Sequence, residues 1–210
     1  MAGRIYGSQA SPRPQRRQAF GEGFALFAEC LLTGVWFALA ALPVVTVPAA
    51  LAAAARHLRA HTEGDSTSWV SFWSDFRAAW RGGRRVGLAV VGAGVVLALN
   101  LAVLAQEGVP GRSGFALATF VVAGLALTVL LRAAADWSPG ERWRDLFASA
   151  VDAARTDPGG TGILLGGVAV LAATTWALWV LAVPMAGCLV GAAVAVRRRR
   201  LDRSGEDAGE

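Results

Sequence analysis

His57 and His61 stand four residues apart, so on a helix they would share one face, the spacing of a two-histidine metal site. No glutamate supplies the base of a zinc-protease motif, and Arg56 and Arg59 would repel a cation there. Gly92-Ala93-Gly94 lacks the third glycine and the strand context of a dinucleotide loop. The chain has no Ser-His-Asp set, no phosphate loop and no carboxylate pair within an apolar run. Cys30 and Cys188 each sit inside such a run and read as small packing residues. The sequence therefore predicts no catalytic residue, no cofactor and no metal. What remains are three polar groups at membrane depth, where such groups are the default functional suspects. Glu29 reads as a carboxylate that snorkels to, or caps at, the interface. Asn100 reads as a hydrogen-bond donor to a neighbouring helix, with a substrate ligand as the alternative. Thr46, between Pro43 and Pro48, either satisfies carbonyls freed by a helix break or lines a solute site in unwound backbone.

The elements that must position these groups are four apolar runs, 24–55, 86–106, 113–131 and 161–196. A bilayer core needs about 20 apolar residues of helix, and lipid cannot satisfy an open backbone. The fold class expected is all-α, a polytopic transmembrane bundle of four to six helices within residues 20–200. Residues 1–19 and 201–210 read as disordered tails. The run 161–196 would extend about 54 Å as one straight helix, far more than a single crossing needs. Pro43 and Pro48 in the first run and Pro184 in the last are the expected breaks, because proline removes a helix hydrogen bond.

Arginine placement sets the sidedness. Segment 56–85 holds six arginines and 132–160 holds four, whereas 106–114 holds Arg112 alone. The positive-inside rule puts 56–85 and 132–160 in the cytoplasm and 106–114 outside; the tails, with the Arg197–Arg200 cluster, are cytoplasmic as well if each proline-broken run turns back on itself. The balance of 20 basic to 15 acidic residues, net +5, would suggest nucleic acid in a soluble protein. At helix ends of a membrane protein it has the plainer topological meaning, so no nucleic-acid partner is predicted.

Two segments between the runs are amphipathic. In 66–82, Trp69, Phe72, Trp73, Phe76 and Trp80 fall on one helical face and Ser74, Arg77 and Arg81 on the other. In 139–155, Trp143, Leu146, Phe147 and Ala150 form the stripe, after Ser138-Pro139-Gly140-Glu141, which has the pattern of a capping box. Both are expected to lie on the cytoplasmic membrane surface, or to dock a partner in a membrane transport complex. Each half of the chain then reads span, amphipathic helix, span, as in a parallel repeat. Gly162…Gly166 and Gly187…Gly191 are small-xxx-small pairs that suit close helix packing or a homo-oligomer.

Gly34-Val35-Trp36, Leu42-Pro43-Val44-Val45-Thr46-Val47-Pro48 and Ser71-Phe72-Trp73-Ser74-Asp75-Phe76 resemble the YesL family of bacterial membrane proteins. The resemblance covers residues 20–85, and the rest agrees in hydropathy. The alanine-rich stretch Ala49–Ala55 departs from the bulkier residues of that pattern. The resemblance implies a multi-pass protein of the bacterial cell membrane with no defined catalytic residue. It also implies a role beside carbohydrate uptake, because such proteins are often encoded near uptake systems and polysaccharide-degrading enzymes. The function expected is an accessory or regulator of solute uptake, with a facilitator for a small neutral solute as the alternative.

Overall fold

The computed structural model describes residues 15–65, 68–106 and 111–207. Every element is helical: α1 (Gln15–Ala40), α2 (Val47–Glu63), α3 (Trp69–Leu104), α4 (Arg112–Asp136), α5 (Trp143–Thr156), α6 (Pro158–Ala177) and α7 (Ala182–Asp207). Three-residue 3-10 turns, Val44–Thr46 and Trp179–Leu181, precede α2 and α7. Four helical stretches are long and apolar enough to cross a membrane: α3, α4, α6 and Trp179–Arg203. The apolar part of α1, Phe24–Ala40, is shorter. The chain is thus an all-α membrane helix bundle.

Both overlong runs fold back. Glu29, eleven residues before the end of α1, touches His57, ten residues into α2, so these helices form an antiparallel hairpin. A Cβ on Gly160 would strike Val196, which places α6 and α7 in a second hairpin. The breaks themselves lie at 41–46 and 178–181. Pro43 lies inside the first break, as expected. Pro48 and Pro184 stand just past the breaks rather than in them, in the first turns of α2 and α7. The first N–H groups of a helix have no intrahelical acceptor, so proline costs nothing there and its fixed φ favours the start. Pro43 caps the first 3-10 turn at φ −78°.

The alanine-rich arm explains how four helices can gather around α2. Ala49, Ala50, Ala52, Ala53, Ala54 and Ala55 on α2 are all at most 2% exposed, enclosed by α1, α3, α4 and α7. Small side chains allow close backbone approach. At Gly87 of α3 a Cβ would overlap the carbonyl of Val45.

Neither amphipathic segment lies free on a membrane surface. Residues 66 and 67, at the start of the first, lie outside those described; Ser68 caps α3 reciprocally with Ser71. From Trp69 the helix runs without interruption into the apolar span, so the aromatic segment is the first half of α3. Most of its stripe turns inward: Phe72 is fully buried and Trp73, Phe76 and Trp80 are half-buried against the core, while Trp69 at the helix start stays exposed. The second segment is a separate helix, α5, with Trp143, Leu146 and Ala150 buried and Phe147 half-buried against the core. A helix with an apolar stripe can cover lipid or protein, and here neighbouring helices offer the larger dry surface. The apparent two-fold repeat is broken accordingly, since α3 is continuous where α5 and α6 are separated at Asp157 and Pro158.

Three further expectations change. Ser138-Pro139-Gly140-Glu141 does not start α5; Gly140, at φ +96°, forms a turn, and the helix begins at Trp143 without a side-chain cap. The helical backbone begins at Gln15, inside the expected tail 1–19, whose first fourteen residues lie outside those described. Helix α7 continues to Asp207, so 201–207 are helical, and 208–210 lie outside those described.

Candidate functional site

Glu29 is not an interfacial snorkel. It accepts a hydrogen bond from His57 Nε2 at 2.6 Å, and the imidazole is 1% exposed. The sequence suggested a metal face for His57 and His61, but the partner of His57 is a carboxylate on α1. The ring sits in an aromatic box, with its centroid 4.8 Å from that of Trp36 and 6.4 Å from that of Phe72. Trp69 closes the box against Trp36 at 5.3 Å. The stripe residues expected at the headgroups therefore build the wall of a buried polar pair. Trp73 and Phe76 continue the edge-to-face chain at 5.2 Å, a geometry that suits the ring quadrupoles.

Thr46 does what a break requires. Its hydroxyl donates to the carbonyl of Ala40 at 2.6 Å and also lies 2.5 Å from that of Pro43. Removing the hydroxyl leaves the Ala40 carbonyl unsatisfied in a buried corner, at a cost of about 1–3 kcal/mol. Thr46→Val is expected to lower the melting temperature in mild detergent, and Thr46→Ser to recover most of the loss. Equal stability of the valine variant with the wild type would sink this assignment.

Asn100 donates to Thr119 at 2.9 Å, joining α3 to α4, while Thr119 donates to the Phe115 carbonyl. Beside that bond, and extending toward the arginine-rich end, the two helices flank a groove of about 1000 Å³. Its walls run from Arg85 to Asn100 on α3 and from Phe115 to Leu130 on α4, with Phe147 of α5 at the mouth.

Ion pairs concentrate at one end of the bundle. Arg56 meets Asp75 at 3.0 Å, joining α2 to α3. Asp136 at the end of α4 receives Arg197 at 2.8 Å and Arg200 at 3.1 Å, both from α7. Asp157 receives Arg132 at 3.2 Å and Arg203 at 3.6 Å. Arg132 also donates to Thr161, and Arg59 donates to the carbonyl of buried Trp137. In sequence these arginines mark only topology, because their carboxylate partners lie on other helices. One signal was available: Asp157-Pro158 is a helix start, with Asp at the cap and Pro at the first position. Its side chain does accept from the Gly160 N–H at 3.0 Å.

Chemically, this end offers charge pairing and one histidine–carboxylate contact. Among the described residues no three His, Cys, Asp or Glu side chains converge as metal ligands would. No curated protein and no solved structure matches the chain. A family model described as "Protein of unknown function, DUF624" matches residues 30–101. The match spans the α1–α2 hairpin, the Thr46 break, the aromatic box and most of α3, so in that third of its length the chain is similar to that family.

Proposed function

We propose that the chain is a non-enzymatic accessory or regulatory subunit of a carbohydrate uptake system in the bacterial cell membrane. The YesL-like pattern in residues 20–85 supports the link to uptake. The observation that carries the accessory role is the uneven burial of the bundle. Helix α2 fills its centre with alanines at most 2% exposed, whereas only 6% of the apolar window of α3 is buried within the chain. A packed centre suits a scaffold, and a bare α3–α4 hairpin suits a protein that works among neighbours in the membrane. Positive-inside topology puts the arginine-rich end in the cytoplasm. The polar faces of α3 and α5 there remain free for a partner, since their apolar stripes are used internally.

A facilitator of a neutral solute is the second reading, favoured by the Asn100–Thr119 pair beside the α3–α4 groove. Affinity purification in mild detergent separates the two. A sugar permease recovered in stoichiometric amount supports the accessory role. Isolation of the chain alone, with sugar flux into liposomes that Asn100→Ala abolishes, overturns it in favour of transport.

A further inference from the structure

Two independent features meet at the cytoplasmic end of the α3–α4 groove. The first is its shape. Arg85 to Asn100 spans fifteen residues, about 22 Å of helix, while one leaflet contributes about 15 Å of hydrocarbon. An acyl chain entering beside Arg85 ends before the Asn100–Thr119 bond, which lies near the far end. Small residues, among them Ala93, Gly94 and Ala118, hollow the walls, and a Cβ on Gly94 would meet nothing within 4 Å. Apart from Arg85 at its mouth, the walls carry two polar side chains, Asn100, which donates to Thr119, and Thr119, which donates to the Phe115 carbonyl, so the trough between them is apolar.

The second feature is a collar of unpaired cations. Trp143 donates to the Ala79 carbonyl and rests on Gly83, where a Cβ would overlap its indole. Arg142 and Arg144 flank Trp143, and Arg81, Arg84 and Arg85 flank the Gly83 it rests on, so the junction gathers five arginines at this end, of which Arg85 lines the groove. All five are exposed, and among the described residues none has a carboxylate partner. Arg56, Arg132, Arg197 and Arg203 are all paired, so the collar is distinct from the ionic clasp. Unpaired arginines at an interface recruit phosphate, and each contributes about fivefold to the preference for an anionic lipid.

From these we infer that the groove is a binding site for an anionic phospholipid, with an acyl chain in the α3–α4 trough and its phosphate held by Arg85 and the collar. The full chain, purified in mild detergent and mixed with phosphatidylglycerol or phosphatidylcholine, can be read by native mass spectrometry. Phosphatidylglycerol should remain bound at least tenfold better than phosphatidylcholine. Arg85→Gln should reduce that preference about fivefold, and Arg112→Gln at the opposite end should leave it unchanged. Gly94→Leu should displace lipids of both headgroups without lowering the melting temperature, and Ala118→Leu should do the same from the other wall. Equal retention of the two lipids by the wild type overturns the proposal. So does undiminished binding in both filled variants. A dimer that Gly94→Leu dissociates would also overturn it, because a second copy of the chain would then occupy the groove.

Discussion

Gly187→Leu is expected to melt roughly 6–12 °C below the wild type, the shift that about 3 kcal/mol gives in a chain of this size. Helices α1 and α7 meet through opposed glycines. A Cβ on Gly187 would fall on the carbonyl of Cys30, and a Cβ on Gly34 on that of Val183. Both obstacles are backbone, so no rotamer change relieves them, and the helices must separate. Overpacking in a well-packed site costs about 1–3 kcal/mol, and a backbone obstacle belongs at the upper end. The control lies in the same hairpin. At Gly162 and Gly166 a Cβ would meet nothing within 4 Å. Gly166→Leu should therefore melt within a degree or two of the wild type. Thermal unfolding followed by tryptophan fluorescence distinguishes the two, and indistinguishable curves would refute the α1–α7 contact.

The second large effect belongs to Asp157. Its carboxylate caps α6 and faces Arg132, whose side chain is 5% exposed. Asp157→Ala leaves that guanidinium in the bundle without its counter-charge, a loss of roughly 3 kcal/mol by analogy with broken buried pairs. Asp157→Asn keeps a cap and removes the charge, so it should fall between alanine and wild type. The pH dependence has a definite sign. The Gly160 N–H, helped by Arg132 and Arg203, holds the carboxyl below its ordinary value of 3.8 against the opposing effect of burial. A depressed folded pKa gives stability that is complete above the ordinary value. It is lost as pH falls through the lowered one. Melting curves from pH 7 to pH 3 should show an acid limb in the wild type that Asp157→Asn flattens. An unaltered limb in the variant would reject Asp157 as its source.

The parts of this fold that depend on hydropathy could be read directly. All of run 113–131 lies within α4 and run 86–106 lies within α3 up to Leu104, because nothing but a helix satisfies a backbone in lipid. The fold-back of the two long runs was also legible, since arginines stand at both ends of each. The inward turn of Phe72 and Trp143 was not. An apolar stripe records that a helix face is dry without recording what dries it. The difference between Gly187 and Gly166 was equally hidden, because two glycines four apart have the same pattern whether or not a helix crosses them. The histidine–carboxylate pair needed the hairpin. Glu29 and His57 are 28 positions apart and meet only because Thr46 and the 3-10 turn reverse the chain between them.

The unbroken course of α3 has a mechanical consequence. From Trp69 to Arg85 the helix projects about 24 Å beyond its lipid-embedded half. Helices in membranes change tilt with bilayer thickness, and a continuous helix transmits tilt as a rigid lever. A rotation of about 10° about Arg85 moves Trp69 by about 4 Å, more than half the 5.3 Å separation between its ring and that of Trp36. The aromatic box around His57 thus stands at the long end of an arm whose other end is set by the thickness of the surrounding lipid.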